Sequence, residues 1–128
     1  MCRAVTAMWT RIGIKTSLQA TPMAQFVTRV MNAEPNAYLF GWCVATFDSL
    51  YSLDALIHSK GTAGGGVYNG GRIADKDLDA KIDAMKTETD TAKRDALIND
   101  ALKMTKDNFY TIPVHHQIFP WAMRKGIE

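Results

Sequence analysis

Three histidines, His58, His115 and His116, are the residues most capable of metal or acid–base chemistry in this chain. His115 and His116 are adjacent, and neighbours on an extended chain point to opposite faces, so the two do not readily share one metal. No His-x-x-x-His or His-Glu-x-x-His spacing occurs, and a structural role outweighs a ligand or catalytic role. A nucleophile would need a Ser or Cys beside a base and an orienting carboxylate. Asp48, Ser49 and His58 are near one another in sequence, but no serine sits in a nucleophile elbow. The carboxylates of Asp75, Asp77 and Asp79, and of Asp90 and Asp95, fall in first turns or on exposed faces. Capping, dipole complementarity and solvation account for them there.

Residues 61–71 hold six glycines in eleven positions. A phosphate cradle needs Gly-Lys-Ser/Thr opening a helix, and a dinucleotide fingerprint needs a strand before it and a helix right after. Neither is present, so the glycine run reads as a mobile surface loop of the kind that borders binding sites. Trp42 is the better site candidate. It ends the apolar run 37–42, and Cys43 to Asp48 follow with the mixed polarity of a cleft-lining loop. The candidate ligand-binding residues are Gly41, Trp42, Ala45, Thr46 and Asp48. A core tryptophan and an apolar platform for a ligand are equally good readings of Trp42.

The elements that must position these residues follow from periodicity. Val5, Met8, Trp9 and Ile12 share a helical face over 3–12, and Gly13 is a C-terminal stop. Ile14, Thr16, Leu18 and Ala20 alternate with polar residues, which predicts a strand. Thr21-Pro22 opens a second helix that runs to about Met31, with Phe26, Val27 and Val30 inward. Asn32 to Asn36 form a turn. Tyr38 to Trp42 is nearly continuously apolar, as in a strand buried on both faces. Residues 14–42 therefore predict a right-handed strand–helix–strand crossover, which would place Trp42 at the carboxyl end of a parallel strand, where α/β folds keep their ligand crevices. Ser49 to Ser59 predicts a short helix. Asp75 and Asp90 cap two more, with Leu78, Ile82 and Met85 inward on one and Leu97, Ala101, Leu102 and Thr105 on the other. The link 87–89 makes them an antiparallel hairpin. Tyr110 to Ile118 predicts a third strand, at an edge or between layers because Pro113 removes a ladder donor. The fold class expected is α/β, a small mixed sheet with packed helices in one domain, residues 1–128.

Composition narrows the function classes. The chain has 128 residues, 47% of them hydrophobic and 22% charged, as a soluble globular domain does. Net charge is +2, and the basic residues are scattered, which argues against a nucleic-acid partner. Cys2 and Cys43 are too few for a disulfide framework or a four-cysteine zinc site. No run approaches the roughly 20 apolar residues that span a bilayer. The first residues lack the basic and apolar regions of a signal peptide, which is uninformative if the chain is a piece of a longer one.

Five segments in order carry a resemblance. They are Met8 to Lys15, the Gly41-Trp42 strand end, the helix with Asp75, Leu78, Asp79 and Ile82, the helix start Asp90 to Arg94, and Thr111-Ile112-Pro113-Val114-His115-His116-Gln117. Together they resemble the C-terminal part of the family 5 extracytoplasmic solute-binding proteins, receptors of oligopeptide, dipeptide and nickel ABC importers. The resemblance implies a non-catalytic, periplasmic or otherwise extracytoplasmic protein, a peptide or related small solute as ligand, a membrane permease as partner of the full-length protein, and no cofactor. Those receptors run to several hundred residues, so the chain is expected to be a probable fragment, part of one lobe of a two-lobed clamshell. Peptide-binding members commonly carry an aspartate three residues after this tryptophan, for the ligand's amino terminus. Here Ala45 stands in that place and offers no charge-assisted hydrogen bond. Asp48 is three residues further on. The alternative is a stand-alone interaction domain that self-associates as a homodimer through exposed apolar surface. A metal-assisted hydrolase using His115 or His116 stands last.

Overall fold

The structure is a computed structural model and describes residues 1–61, 64–116, 118 and 120–126. Its elements are helices: α1 (Cys2–Arg11), α2 (Met23–Met31), α3 (Ser49–Ser52), a π-helical turn (Leu53–Ile57), α4 (Lys76–Thr87) and α5 (Thr91–Asp107).

The core lies where capping and periodicity agree. Asp75 accepts hydrogen bonds from the Asp77 and Leu78 amides at 3.1 Å each and so starts α4. The stripe Leu78, Ile82 and Met85 on α4 is fully buried. Asp90 starts α5 by accepting from the Lys93 amide at 3.0 Å. Ala101 and Thr105 on α5 close against α4, and Lys81 reaches Asp100 across the hairpin at 2.9 Å. Leu97 packs at the edge of this core, whereas Leu102 is exposed, against the sequence expectation. The third wall is α3 and the π-turn, which bury Leu53 and Ile57. The expected single helix 49–59 thus divides. After one α-turn it widens, and the His58 amide donates to the Leu53 carbonyl, five residues back, at 2.9 Å.

The first forty residues pack far less. No residue of α1 is buried, and Met8 and Ile12 are exposed although the spacing placed them inward. Gly13 does stop α1. With φ at 86°, its amide bonds to Thr10 and the next, Ile14, to Trp9. Helix α2 begins one residue later than expected, with Pro22 as cap, and buries Val30 alone.

The expected α/β sheet is not formed. Among the described residues there is no strand: 14–20, 38–42 and 110–116 carry no regular secondary structure, and no ladder joins them. Gln117 of the third segment lies outside the described residues. The physical reason is that alternation shows which side of a segment can pack but supplies no neighbour. A strand exists only when another chain segment about 4.8 Å away takes up its N–H and C=O groups. Ile14, Leu18, Leu39, Ile112 and Val114 are consequently all exposed. The strand–helix–strand crossover falls with the sheet, and so does the argument that put Trp42 at the carboxyl end of a parallel strand.

Candidate functional site

Trp42 is half-buried in a row of rings rather than at a sheet end. Residues two apart on an extended segment face the same way, so Tyr38, Phe40 and Trp42 present one side together. Phe26 of α2 stacks on Phe40 at 6.0 Å, and Phe40 stacks on Trp42 at 6.1 Å. Tyr51 of α3 stacks on Trp42 at 5.4 Å, and Tyr68 meets Trp42 edge-on at 5.5 Å. The Trp42 indole Nε1 donates to Ser52 Oγ at 3.1 Å. The indole is therefore held on several sides and its one donor is used. The rings that still offer open area around it are Tyr51 and Tyr68, 41% and 38% exposed.

Asp48 is fixed just as firmly. One carboxylate oxygen caps α3 by accepting from the Leu50 amide at 2.9 Å, and the other accepts from Arg94 Nη2 of α5 at 2.7 Å. The Leu50 amide keeps this carboxyl below the ordinary aspartate range against the opposing effect of burial, and the Arg94 guanidinium adds to the lowering. Asp48 is thus a structural cap and an inter-helix tie, with both oxygens engaged. Thr46 and Asp48 line one side of an open depression of about 400 Å³, shared with Leu50, Tyr51, Asp54, Ala55 and Lys86. Gly41, Trp42 and Ala45 are not part of that lining. Gly41 and Ala45 are exposed, and a Cβ at Gly41 would meet nothing within 4 Å. Another depression, of about 470 Å³, runs along α2 and is lined by that helix alone.

Phe47, between Thr46 and Asp48, is 96% exposed in a left-handed backbone conformation, φ 54°. A bulky residue in that region is uncommon and costs roughly 1–3 kcal/mol. Phe47 lies within the loop 43–48 that reads as cleft-lining from the sequence, whereas Tyr51, Ser52 and Tyr68 are not expected beside Trp42. A signal for the rings was present: Phe40 and Trp42 already defined an aromatic side, and Tyr68 is an aromatic residue inside a glycine run.

That run is anchored, against the mobile loop expected. Thr62 and Ala63 lie outside the described residues, but 64–71 form a tight turn on the end of the π-helix. The Gly66 amide donates to the Asp54 carbonyl at 2.7 Å and the Tyr68 amide to the Ala55 carbonyl at 2.8 Å. These are carbonyls that a helix end leaves without intrahelical donors. Asn69, 1% exposed, donates to the carbonyls of His58 and Ile73 and accepts from the Ile73 amide, which closes the turn. Glycine at 66 follows from this docking: φ is 67°, and a side chain there would run into the His58 carbonyl.

His58 is drawn into a charged cluster. Its Nδ1 lies 2.7 Å from the Ser59 carbonyl and 3.7 Å from Asp79, and its Nε2 lies 3.4 Å from Asp83. Lys86 bridges Asp83 and Asp54 at 2.8 Å each. Burial works against the imidazolium, but the Ser59 carbonyl and the carboxylates of Asp79 and Asp83 outweigh it and raise the His58 pKa above 6.5. His115 and His116 lie side by side on the exposed extended segment. Among the described residues no three His, Cys, Asp or Glu side chains gather as a metal site would require. Cys2 and Cys43 are free thiols. No helix among the described residues is long and apolar enough to cross a membrane.

No family model matches this chain, and no solved structure matches it. Two curated proteins are similar to it: the Di/tripeptide-binding protein 3 of one Pseudomonas aeruginosa strain (UCBPP-PA14) and the Dipeptide-binding protein of a second strain of that species. Each is 26% identical over 137 aligned positions, which take in 100% of this chain and 24% of the relative. The chain thus spans about a quarter of the length of the curated relatives it matches.

Proposed function

We propose that this chain is part of a lobe of a peptide-binding receptor that serves an ABC importer, and that it is not an enzyme. The observation that carries the reading is the similarity along the whole of the chain to two proteins named for binding dipeptides or tripeptides. The aromatic side around Trp42 supports it, since peptide side chains are held by apolar and aromatic walls with few polar groups. On this reading the chain is a fragment of a longer extracytoplasmic protein, and that protein meets the membrane permease.

The ligand-binding segment proposed is Gly41 to Asp48, with Gly41, Trp42, Ala45, Thr46 and Asp48 as its frame. Within it Trp42 orders the neighbouring rings, while Tyr51, Tyr68 and Phe47 offer the area a ligand would touch. With Ala45 uncharged and Asp48 engaged by Arg94, this segment takes the side chain of a peptide rather than its amino terminus. The test is a titration of the isotope-labelled chain with the dipeptides Ala-Ala and Ala-Phe. A single lobe is expected to bind no tighter than roughly millimolar. Ala-Phe should shift the Trp42 indole N–H and the rings of Tyr51 and Tyr68 more than Ala-Ala does. Shifts elsewhere with these three unmoved would contradict the assignment.

A second reading, self-association, is favoured by one observation. Ile12, Met23, Ile118, Trp121 and Met123 are all more than 70% exposed, and apolar residues this open invite association. Sedimentation of the chain across a concentration series distinguishes a dimer from a monomer.

A further inference from the structure

The imidazole of His58 is nearly enclosed, with 12% of the side chain exposed, and acceptors stand against both of its ring nitrogens. The Ser59 carbonyl stands at Nδ1, 2.7 Å away, with the Asp79 carboxylate behind it at 3.7 Å. The Asp83 carboxylate stands at Nε2, 3.4 Å away. A neutral imidazole carries one N–H and one lone pair. If the hydrogen is on Nδ1, as the Ser59 carbonyl requires, the Nε2 lone pair faces a carboxylate oxygen. If it is on Nε2, the Nδ1 lone pair faces a carbonyl. Only the doubly protonated ring turns an N–H toward each side, with Asp83 an ion-pair partner at Nε2 rather than a hydrogen-bonded one.

The ring also touches three elements at once. Asp79 and Asp83 are one turn apart on α4, so their side chains share a face. His58 ends the π-turn and donates its own amide into it. The glycine turn comes close to the ring: a Cβ placed at Gly65 would be 2.5 Å from Nδ1. Asn69 from the same turn donates to the His58 carbonyl.

We propose that the His58 imidazolium is a proton-dependent latch that fastens the glycine turn 64–71 to α4, and that loss of the proton loosens this turn and with it Tyr68 on the aromatic wall. The groups facing the ring are Asp79 and Asp83 from α4. Behind them, Lys86 pairs with Asp83 and with Asp54 of the π-turn. From the glycine run, Gly65 lies beside the ring. Three carboxylates and one ammonium leave the cluster at −2 with a neutral ring and at −1 with the imidazolium, so the proton relieves like-charge repulsion as well as turning a donor toward Asp83. The latch concerns the fold of the chain and does not depend on what the chain binds.

The experiment follows the His58 Cε1–H by NMR from pH 5 to 9 in the whole chain, together with protection of the Gly66 and Tyr68 amides against hydrogen exchange. The His58 midpoint is expected above the roughly 6.5 of an unstructured histidine. Protection of Gly66 and Tyr68 should fall through that midpoint, by about tenfold for each unit the midpoint is raised, while the α4 and α5 amides keep theirs. Asp83 is largely exposed, so Asp83→Asn leaves the core intact. It should lower the His58 midpoint and move the exchange step with it. A midpoint at or below 6.5, or an exchange profile with no step at the His58 midpoint, overturns the latch.

Discussion

The helical hairpin with its π-turn and the aromatic segment that leans on it are built by different means. In the first, Leu53, Ile57, Leu78, Ile82, Met85 and Ala101 form one closed cluster, and each helix has its own aspartate cap. In the second, α1 buries nothing, α2 buries Val30, and the extended segments carry apolar residues into solvent. The hairpin satisfies its hydrogen bonds locally and needs only a neighbour a few residues away. The strand-patterned segments need a ladder partner distant in sequence, and no ladder forms among the described residues. The rings of Phe26, Phe40, Trp42, Tyr51 and Tyr68 are the seam between the two regions.

The contrast can be broken most forcefully at the core. Ile82 is fully buried, and Ile82→Ala should cost about 2–5 kcal/mol by losing transfer energy and leaving a cavity. A domain of this size is stable by roughly 5–15 kcal/mol, so urea denaturation should show a large drop in midpoint. Leu18→Ala, in an extended segment where Leu18 is 47% exposed, should stay within about 0.5 kcal/mol. Equal effects at the two sites would mean that the extended segment is packed after all.

A smaller effect separates the caps from the core they serve. The Asp75 carboxylate accepts from the Leu78 and Asp77 amides and from the Tyr110 hydroxyl at 2.9 Å. Asp75→Ala should cost about 0.5–2 kcal/mol in the same denaturation assay. The Leu78 amide, then the Tyr110 hydroxyl, then the Asp77 amide hold the Asp75 pKa below its usual value against slight burial. Its stabilisation is therefore complete above the unfolded carboxyl value near 3.9 and fades as pH falls through the lower folded value. An acid titration of stability should be flatter in Asp75→Ala than in the parent, and an unchanged slope would remove Asp75 from the cap.

The same division explains what the sequence made legible. Asp75 with Leu78, Ile82 and Met85, and Asp90 with Ala101 and Thr105, announce helices because cap and stripe lie within the helix itself. Gly13 announces a stop for the same reason. Ile14 to Ala20 and Tyr38 to Trp42 carry real strand patterns, but pairing is a long-range event that alternation does not encode. The glycine turn was misread because its order comes from helix-end carbonyls of Asp54 and Ala55, invisible in local composition. Trp42 stands out in the sequence at the end of an apolar run, but its stacking and hydrogen bonding depend on Tyr51, Ser52 and Tyr68. Those residues reach it only through the fold. Asp48 shows the reverse: its cap on α3 follows from its position before Ser49, whereas its tie to Arg94 bridges 46 residues.

The receptor reading gives the exposed apolar segments a partner in a longer protein, and one measurement tests this most directly. An antibody against this chain is used to blot native source cells separated into periplasmic and cytosolic fractions. The account predicts a periplasmic band several times heavier than a 128-residue chain. A cytosolic band of the size of the chain itself would contradict it and leave self-association as the explanation of the exposed surface.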